Sequence, residues 1–222
     1  MTGLRERKRA RTHAAISEAA IALFLERGFD HVSVAQVAEA AEVSKRTLFA
    51  YFPAKEDLVV HRFADHQTEA ARVVRARPPG VGPLAALRDH FLDGLRNRDP
   101  ITGLNDVPEI IALTRMVRET PALRTRAVHF QEDAERALAE ALQETAGVPA
   151  LTARLAAGQV VGTHWLLSMD NSQALAGGQS ADERYAEAVA DAEHAFTLLS
   201  EGLAGHLVSQ LTTRATEPQR SR

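Results

Sequence analysis

The residues best suited to chemistry in this sequence are cations set beside hydroxyls. Ser44, Lys45, Arg46 and Thr47 are consecutive, and Tyr51 and Lys55 follow closely. Lysine and arginine donate to guanine O6 and N7, and threonine offers a hydroxyl or a methyl group, so these types suit the edges of DNA bases. A second basic cluster, Arg5, Arg7, Lys8, Arg9 and Arg11, lies at the start of the chain. Residues 1–64 carry ten Lys/Arg against eight Asp/Glu, net +2, whereas residues 65–222 carry sixteen against twenty-one, net −5. A basic arm on an acidic body points to a polyanion, with a solvated tail as the alternative. Lys55 falls where a helix should begin, and a cation there opposes the helix macrodipole. That placement points it toward an outside partner, a DNA phosphate being the simplest; a lysine that only snorkels is the other reading.

Other chemistries find little support. With no cysteine, a disulfide framework and a thiolate metal site are excluded. The only Gly-x-Gly, at 80–82, is too short for a phosphate loop and lies in the proline-rich "RPPGVGP". His61, Asp65 and His66 match no metal-ligand spacing, and no serine sits in a G-x-S-x-G elbow. A non-enzyme without cofactor or metal is expected. The N-terminus is charged and lacks an apolar signal core. No segment approaches the roughly 20 apolar residues that span a bilayer. The expectation is a soluble cytoplasmic protein.

The elements that must position these cations are helical throughout. Alanine and leucine dominate the 45% hydrophobic fraction, and β-branched runs are scarce. Ile16, Ala20, Leu23 and Phe24 recur at helical spacing in a first helix from about residue 5 to Arg27, with Gly28 as its stop. Ser33 and Gln36 form a capping box for a second, short helix. Ser44 caps a third, "KRTLFAYF", closed by Pro53. The last two, joined by about four residues, have the helix-turn-helix layout, whose second helix enters the DNA major groove. Leu48 and Phe52 should pin that helix inward, leaving Phe49 and Tyr51 on or near the outer side. A fourth helix is expected from about Lys55 to Arg75. Others follow at about 83–97, 107–118, 121–146, 150–172 and 182–213.

Residues from about 10 to 58, "ISEAAIALFLERGFDHVSVAQVAEAAEVSKRTLFAYFPAKEDL" at their centre, resemble the DNA-binding domain of the TetR family of transcriptional regulators. The resemblance runs through Phe24, Gly28-Phe29, Val34, Val37-Ala38, Val43-Ser44, Thr47-Leu48, Tyr51-Phe52 and Lys55 to Leu58. It implies an all-α protein: a three-helix DNA-binding domain (1–54), a larger helical ligand-binding and dimerisation domain (55–214), and a disordered tail (215–222). The expected DNA-contact set is Ser33, Ser44, Lys45, Arg46, Thr47, Phe49, Tyr51 and Lys55, with Arg9 from the arm. Three departures stand out. Glu42 replaces a common glycine in the turn and would be strained if φ is positive there. Phe49 replaces a tyrosine whose hydroxyl meets phosphate, so that contact is lost or moved, for example to Tyr51. Arg46 stands where a small residue is frequent, which should alter sequence preference.

For the second half, the resemblance implies a homodimer built by the last two helices, a cavity for a small-molecule effector, and repression released when that effector shifts the fourth helix. The last helix carries a narrow stripe, Tyr185, Val189, Ala192, Phe196, Leu199 and Leu203, and the helix before it has Gly158 and Gly162 four apart. The dimer-face candidates are Gly158, Gly162, Val189, Phe196, Leu199 and Leu203; an intramolecular core is the alternative. Pocket candidates are Phe63, Leu87, Phe91, Leu95, Ile111, Met116, Phe130, Trp165, Leu166 and Met169, types that suit an apolar or amphipathic ligand and equally fill an ordinary core; His129, Thr163, His164 and Asn171 are polar residues in apolar windows that could orient a ligand or equally face solvent or the partner subunit. "ETPALR" loosely resembles TetR regulators that sense acyl-CoA-like molecules, and Arg115, Arg118 and Arg124 could meet an anionic head group. An all-helical scaffold or adaptor is the rival reading, but it gives no role to Lys45, Arg46 and Lys55.

Overall fold

The computed structural model describes residues 3–61 and 64–202. Among them the chain is all-helical: α1 (Leu4–Arg27), α2 (Val34–Ala40), α3 (Lys45–Tyr51), α4 (Asp57–Val60), α5 (Ala64–Gln67), α6 (Glu69–Ala76), α7 (Pro83–Arg96), α8 (Pro108–Glu119), α9 (Pro121–Ala146), α10 (Ala150–Ala176) and α11 (Ala181–Glu201). A 3-10 turn at Pro100–Thr102, not foreseen from the sequence, joins the stretch between α7 and α8.

Local signals set most boundaries. Gly28 takes φ 86° and closes α1, its N–H donating to the Phe24 carbonyl at 2.9 Å. The Ser33–Gln36 capping box opens α2, with Gln36 N–H on Ser33 Oγ and Ser33 N–H on Gln36 Oε1. At the end of α2, Val43 N–H reaches the Ala38 carbonyl and Glu42 N–H the Glu39 carbonyl. This is a Schellman closure, and its left-handed position is held by Glu42 at φ 53°. Pro83, Pro108 and Pro121 each open a helix, where a missing N–H costs nothing.

The expected single helix over 55–75 is not observed. Lys55 lies in the turn before α4 rather than in a helix, and a turn at Thr68 (φ −99°, ψ 2°) separates α5 from α6. α10 runs four residues further than expected, to Ala176.

Two apolar clusters form. The first joins Ile16, Phe24, Val37, Leu48 and Phe52 of the N-terminal helices to Leu58 and Val60 of α4, and continues into Leu113, Val117, Leu123 and Ala127 of α8 and α9. The core therefore crosses the boundary expected near residue 54. The second cluster packs α6, α7, α9, α10 and α11 around Val74, Leu87, Phe91, Leu138, Val160 and Phe196. Gly103 lets the 100–104 turn press onto α10: a Cβ there would lie 2.0 Å from the Ser168 carbonyl oxygen. Asn171 Nδ2, inside α10, donates to the Thr102 carbonyl at 2.9 Å and fixes that contact.

Candidate nucleic-acid interface

α3 presents a defined outer face because its inner side is pinned. Leu48 is fully buried in the first apolar cluster, which leaves Lys45, Arg46, Phe49 and Ala50 exposed one turn apart. The Ser44 hydroxyl accepts from Thr47 N–H at 3.0 Å and lies 2.8 Å from Thr47 Oγ1. Ser44 and Thr47 thus build the helix start, and Ser33 does the same for α2. Neither Lys45 nor Arg46 has an ion pair or hydrogen bond within the described residues, so their charges are free for an outside partner.

Tyr51 closes α3 half-buried, with the Arg9 guanidinium 5.9 Å above its ring. The basic cluster is not an arm ahead of the first helix. It is the opening of α1, where Arg7, Lys8, Arg9 and Arg11 are exposed, and the Arg9–Tyr51 contact sets that end beside the end of α3.

Lys55 departs from its expected outward placement. Its ammonium donates to the Phe29 carbonyl at 2.6 Å and sits 4.2 Å from the Phe29 ring centroid. Burial lowers its pKa, and Asp30 and Glu56 counter that. Phe29 lies just past the end of α1, where its carbonyl accepts only a long 3.4 Å turn bond from Val32 N–H, and the Lys55 ammonium adds a second, shorter one.

The pocket candidates do not converge. Leu87 and Phe91 belong to the second cluster, whereas Met116 and Phe130 pack on the first. His129 is exposed, Met169 half-buried, and Trp165 40% exposed; Phe63 lies outside the described residues. A cleft does open between α8 and the end of α10, lined by Ile110, Ile111, Thr114, Arg115, Arg118 and Leu175. Of these, Ile111, Arg115 and Arg118 stand out in the sequence.

Beside Phe91 lies His164, one of the polar residues that the sequence sets inside an apolar window. His164 stacks on Phe91 (centroids 5.0 Å, planes 23° apart) and tilts against Phe196 at 5.6 Å. Its Nε2 is buried without a hydrogen-bond partner among the described residues, and burial pushes its pKa down to about 4, with His90 lowering it further and Glu69 opposing. Glu69 meets His66 Nδ1 at 2.5 Å and His90 Nε2 at 3.2 Å. These bonds hold the Glu69 carboxyl well below its usual range, and its bond to His90 raises that histidine.

The stripe on α11 turns inward. Phe196 is 3% exposed and Ala192 fully buried, while Val189 and Leu199 pack on the same core; Leu203 lies outside the described residues. The reason is the partner available within the chain, since α7 and α10 cover that face. Gly158 faces Glu135 of α9 at 3.9 Å, and only Gly162 has open space above it. Most of the large apolar side chains left exposed are on α10: Leu151, Leu155, Trp165 and Leu166.

Residues 16–61 match the model of bacterial regulatory proteins, tetR family. The HTH-type transcriptional regulator TcmR of Streptomyces glaucescens is 33% identical over 178 residues, which is 76% of this chain and 79% of that protein. Among solved structures, NalD of Pseudomonas aeruginosa, the secondary repressor of the MexAB-OprM multidrug efflux pump, superposes with a TM-score of 0.55 at 21% identity, covering 87% of this chain and 97% of its own. A TetR transcriptional regulator from Rhodococcus sp. RHA1 gives 0.51 at 24%, covering 88% and 98%.

Proposed function

The chain belongs to the TetR family and is a DNA-binding transcriptional regulator, and on that premise we propose that it is a homodimeric repressor of a near-palindromic operator, released by a small amphipathic effector. The carrying observation is the outer face of α3, where Lys45 and Arg46 are exposed, and unpaired among the described residues, beside a buried Leu48. Two such helices about 34–36 Å apart would meet successive major grooves on one side of DNA. Residues 3–54 form the DNA-reading unit, and the opening of α1 adds phosphate contacts through Arg7, Lys8, Arg9 and Arg11. The protein works where the chromosome lies, in the cytoplasm, by binding rather than catalysis.

The α10 stripe of Leu151, Leu155, Trp165 and Leu166 supports pairing of two copies, since exposed apolar side chains at helical spacing mark an interface. Arg115 and Arg118 beside Ile110, Ile111 and Leu175 support an effector with an anionic head and an apolar body, such as an acyl-CoA, for which the cleft of about 10 Å³ must widen on binding. No helix among the described residues is long and apolar enough to cross a membrane.

The test titrates a labelled operator at two salt concentrations and then adds long-chain acyl-CoAs to the preformed complex. Affinity should fall steeply with salt, by close to one unit of logarithmic slope per neutralised phosphate. Arg46→Ala should weaken specific binding by about 1–3 kcal/mol. Arg46→Ala binding like wild type would remove α3 as the reading helix, and failure of every acyl ligand to release DNA would remove the effector class.

A further inference from the structure

We propose that Phe49, with Ala50 beside it, reads thymine through its 5-methyl group, so that each half of the operator places a thymine within one helical turn of the bases met by Lys45 and Arg46. The inference rests on the DNA-binding reading above and adds a base identity to it.

Phe49 is 47% exposed and is the only large apolar side chain among the described residues of 3–61 to be so. Its ring makes no aromatic or cation contact among the described residues, whereas Tyr51 and Phe52, close by, are both engaged. It also cannot be turned away, because Leu48 is fully buried and the Ser44 cap fixes the start of the helix. An apolar ring is therefore held on the same face as two free cations.

That combination restricts the occupant. The cations draw the face to a polyanion, but a phenyl ring has no group that can donate to phosphate. In the major groove the base edges are polar except at one point, the thymine methyl group. Ala50 widens the apolar patch without adding a polar atom. The hydroxyl that a tyrosine would carry at position 49 would instead favour phosphate or water, so a phenylalanine at this site trades a backbone contact for a base contact.

Duplexes selected from random-sequence DNA by the full chain supply the probe. Each thymine is then replaced singly by deoxyuridine, which removes only the methyl group. At one thymine per half-site the replacement should weaken wild-type binding about three- to fivefold, the worth of one buried methyl. Phe49→Ala should lose a similar factor on the unmodified duplex and then be indifferent to the replacement, whereas Phe49→Leu should keep part of the response. Wild-type binding unchanged by every deoxyuridine, or an equal loss in Phe49→Ala, would overturn the proposal while leaving DNA binding intact. Selection of no preferred sequence would instead bring down the operator reading and this proposal with it. Circular dichroism of Phe49→Ala should match wild type because the ring is exposed; should it not, the deoxyuridine series on the wild-type protein decides alone.

Discussion

Asp57 and Arg126 join the DNA-reading unit to the body of the protein. Asp57 Oδ1 accepts from Arg126 Nε at 2.7 Å, while its Oδ2 accepts from the Ala54 N–H at 3.0 Å. One buried carboxylate thus holds both the turn after α3 and the second turn of α9, where Arg126 lies 69 residues beyond Asp57 in sequence. The Arg126 guanidinium also lies 5.8 Å from the Phe130 ring, which keeps it in place.

Removing either partner should therefore loosen the turn that follows α3. Arg126→Ala leaves a buried carboxylate that retains only its bond to Ala54, and the cost should be about 1–2 kcal/mol, below that of a fully buried pair because Arg126 is partly exposed. A double-mutant cycle with Asp57→Asn, read by urea unfolding, should give a coupling near 1 kcal/mol. Strict additivity would mean that the two side chains act independently.

Glu42 occupies a left-handed position at φ 53° that suits glycine. A side chain there costs about 1 kcal/mol or more, and the extra freedom of glycine in the unfolded chain returns part of the gain. Glu42→Gly should thus stabilise by about 0.5–1 kcal/mol, and Glu42→Ala should not. Thermal unfolding checks this, and equal midpoints for Glu42→Gly and wild type would show that the turn carries no strain.

The two apolar faces of α10 and α11 should respond differently to a charge. Leu166 is 60% exposed, so Leu166→Asp should leave the fold intact and yield monomers by light scattering. Phe196→Asp would bury an unpaired charge in the chain's own core and should cost several kcal/mol, enough to compromise folding. An intact Leu166→Asp dimer would move the interface off this stripe.

His164 predicts an acid-sensitive limb. Its pKa is about 4 in the folded chain against 6.5 for the free side chain, so the unfolded state binds the proton first. Stability from this group is full above pH 6.5 and falls as pH drops toward 4, by about 1–2 kcal/mol between pH 6.5 and 5. His90, whose pKa is raised, works the other way: its contribution is present below pH 6.5 and lost as pH climbs through its folded value. His164→Leu should flatten the acid limb when denaturant midpoints at pH 7 and 5 are compared. An unchanged difference between the two pH values would assign the limb to other groups.

The helix boundaries of this protein are legible in its sequence because they depend on neighbours a few residues away. Ser33 with Gln36, Ser44 with Thr47, Gly28, and the prolines at 83, 108 and 121 each satisfy or omit a backbone group at a helix end. The position of Lys45 and Arg46 at the start of α3 follows from the same local chemistry, whereas the left-handed turn at Glu42 is signalled only by the family resemblance, which commonly has glycine there. The destination of an apolar face or a long side chain is a different matter. Periodicity marks Phe196 and Val189 as one stripe, but only packing decides that α7 and α10 cover it and that Leu166 is left outside. Lys55 reads as an outward cation until the fold brings the carbonyl of Phe29, 26 residues earlier, within 2.6 Å of it. His164 gives no sign in sequence of its stacking between Phe91 and Phe196, because those rings come from helices far apart in the chain. Local backbone needs are met by adjacent residues and can be read in order; burial is shared among distant segments, so only the tertiary structure assigns it.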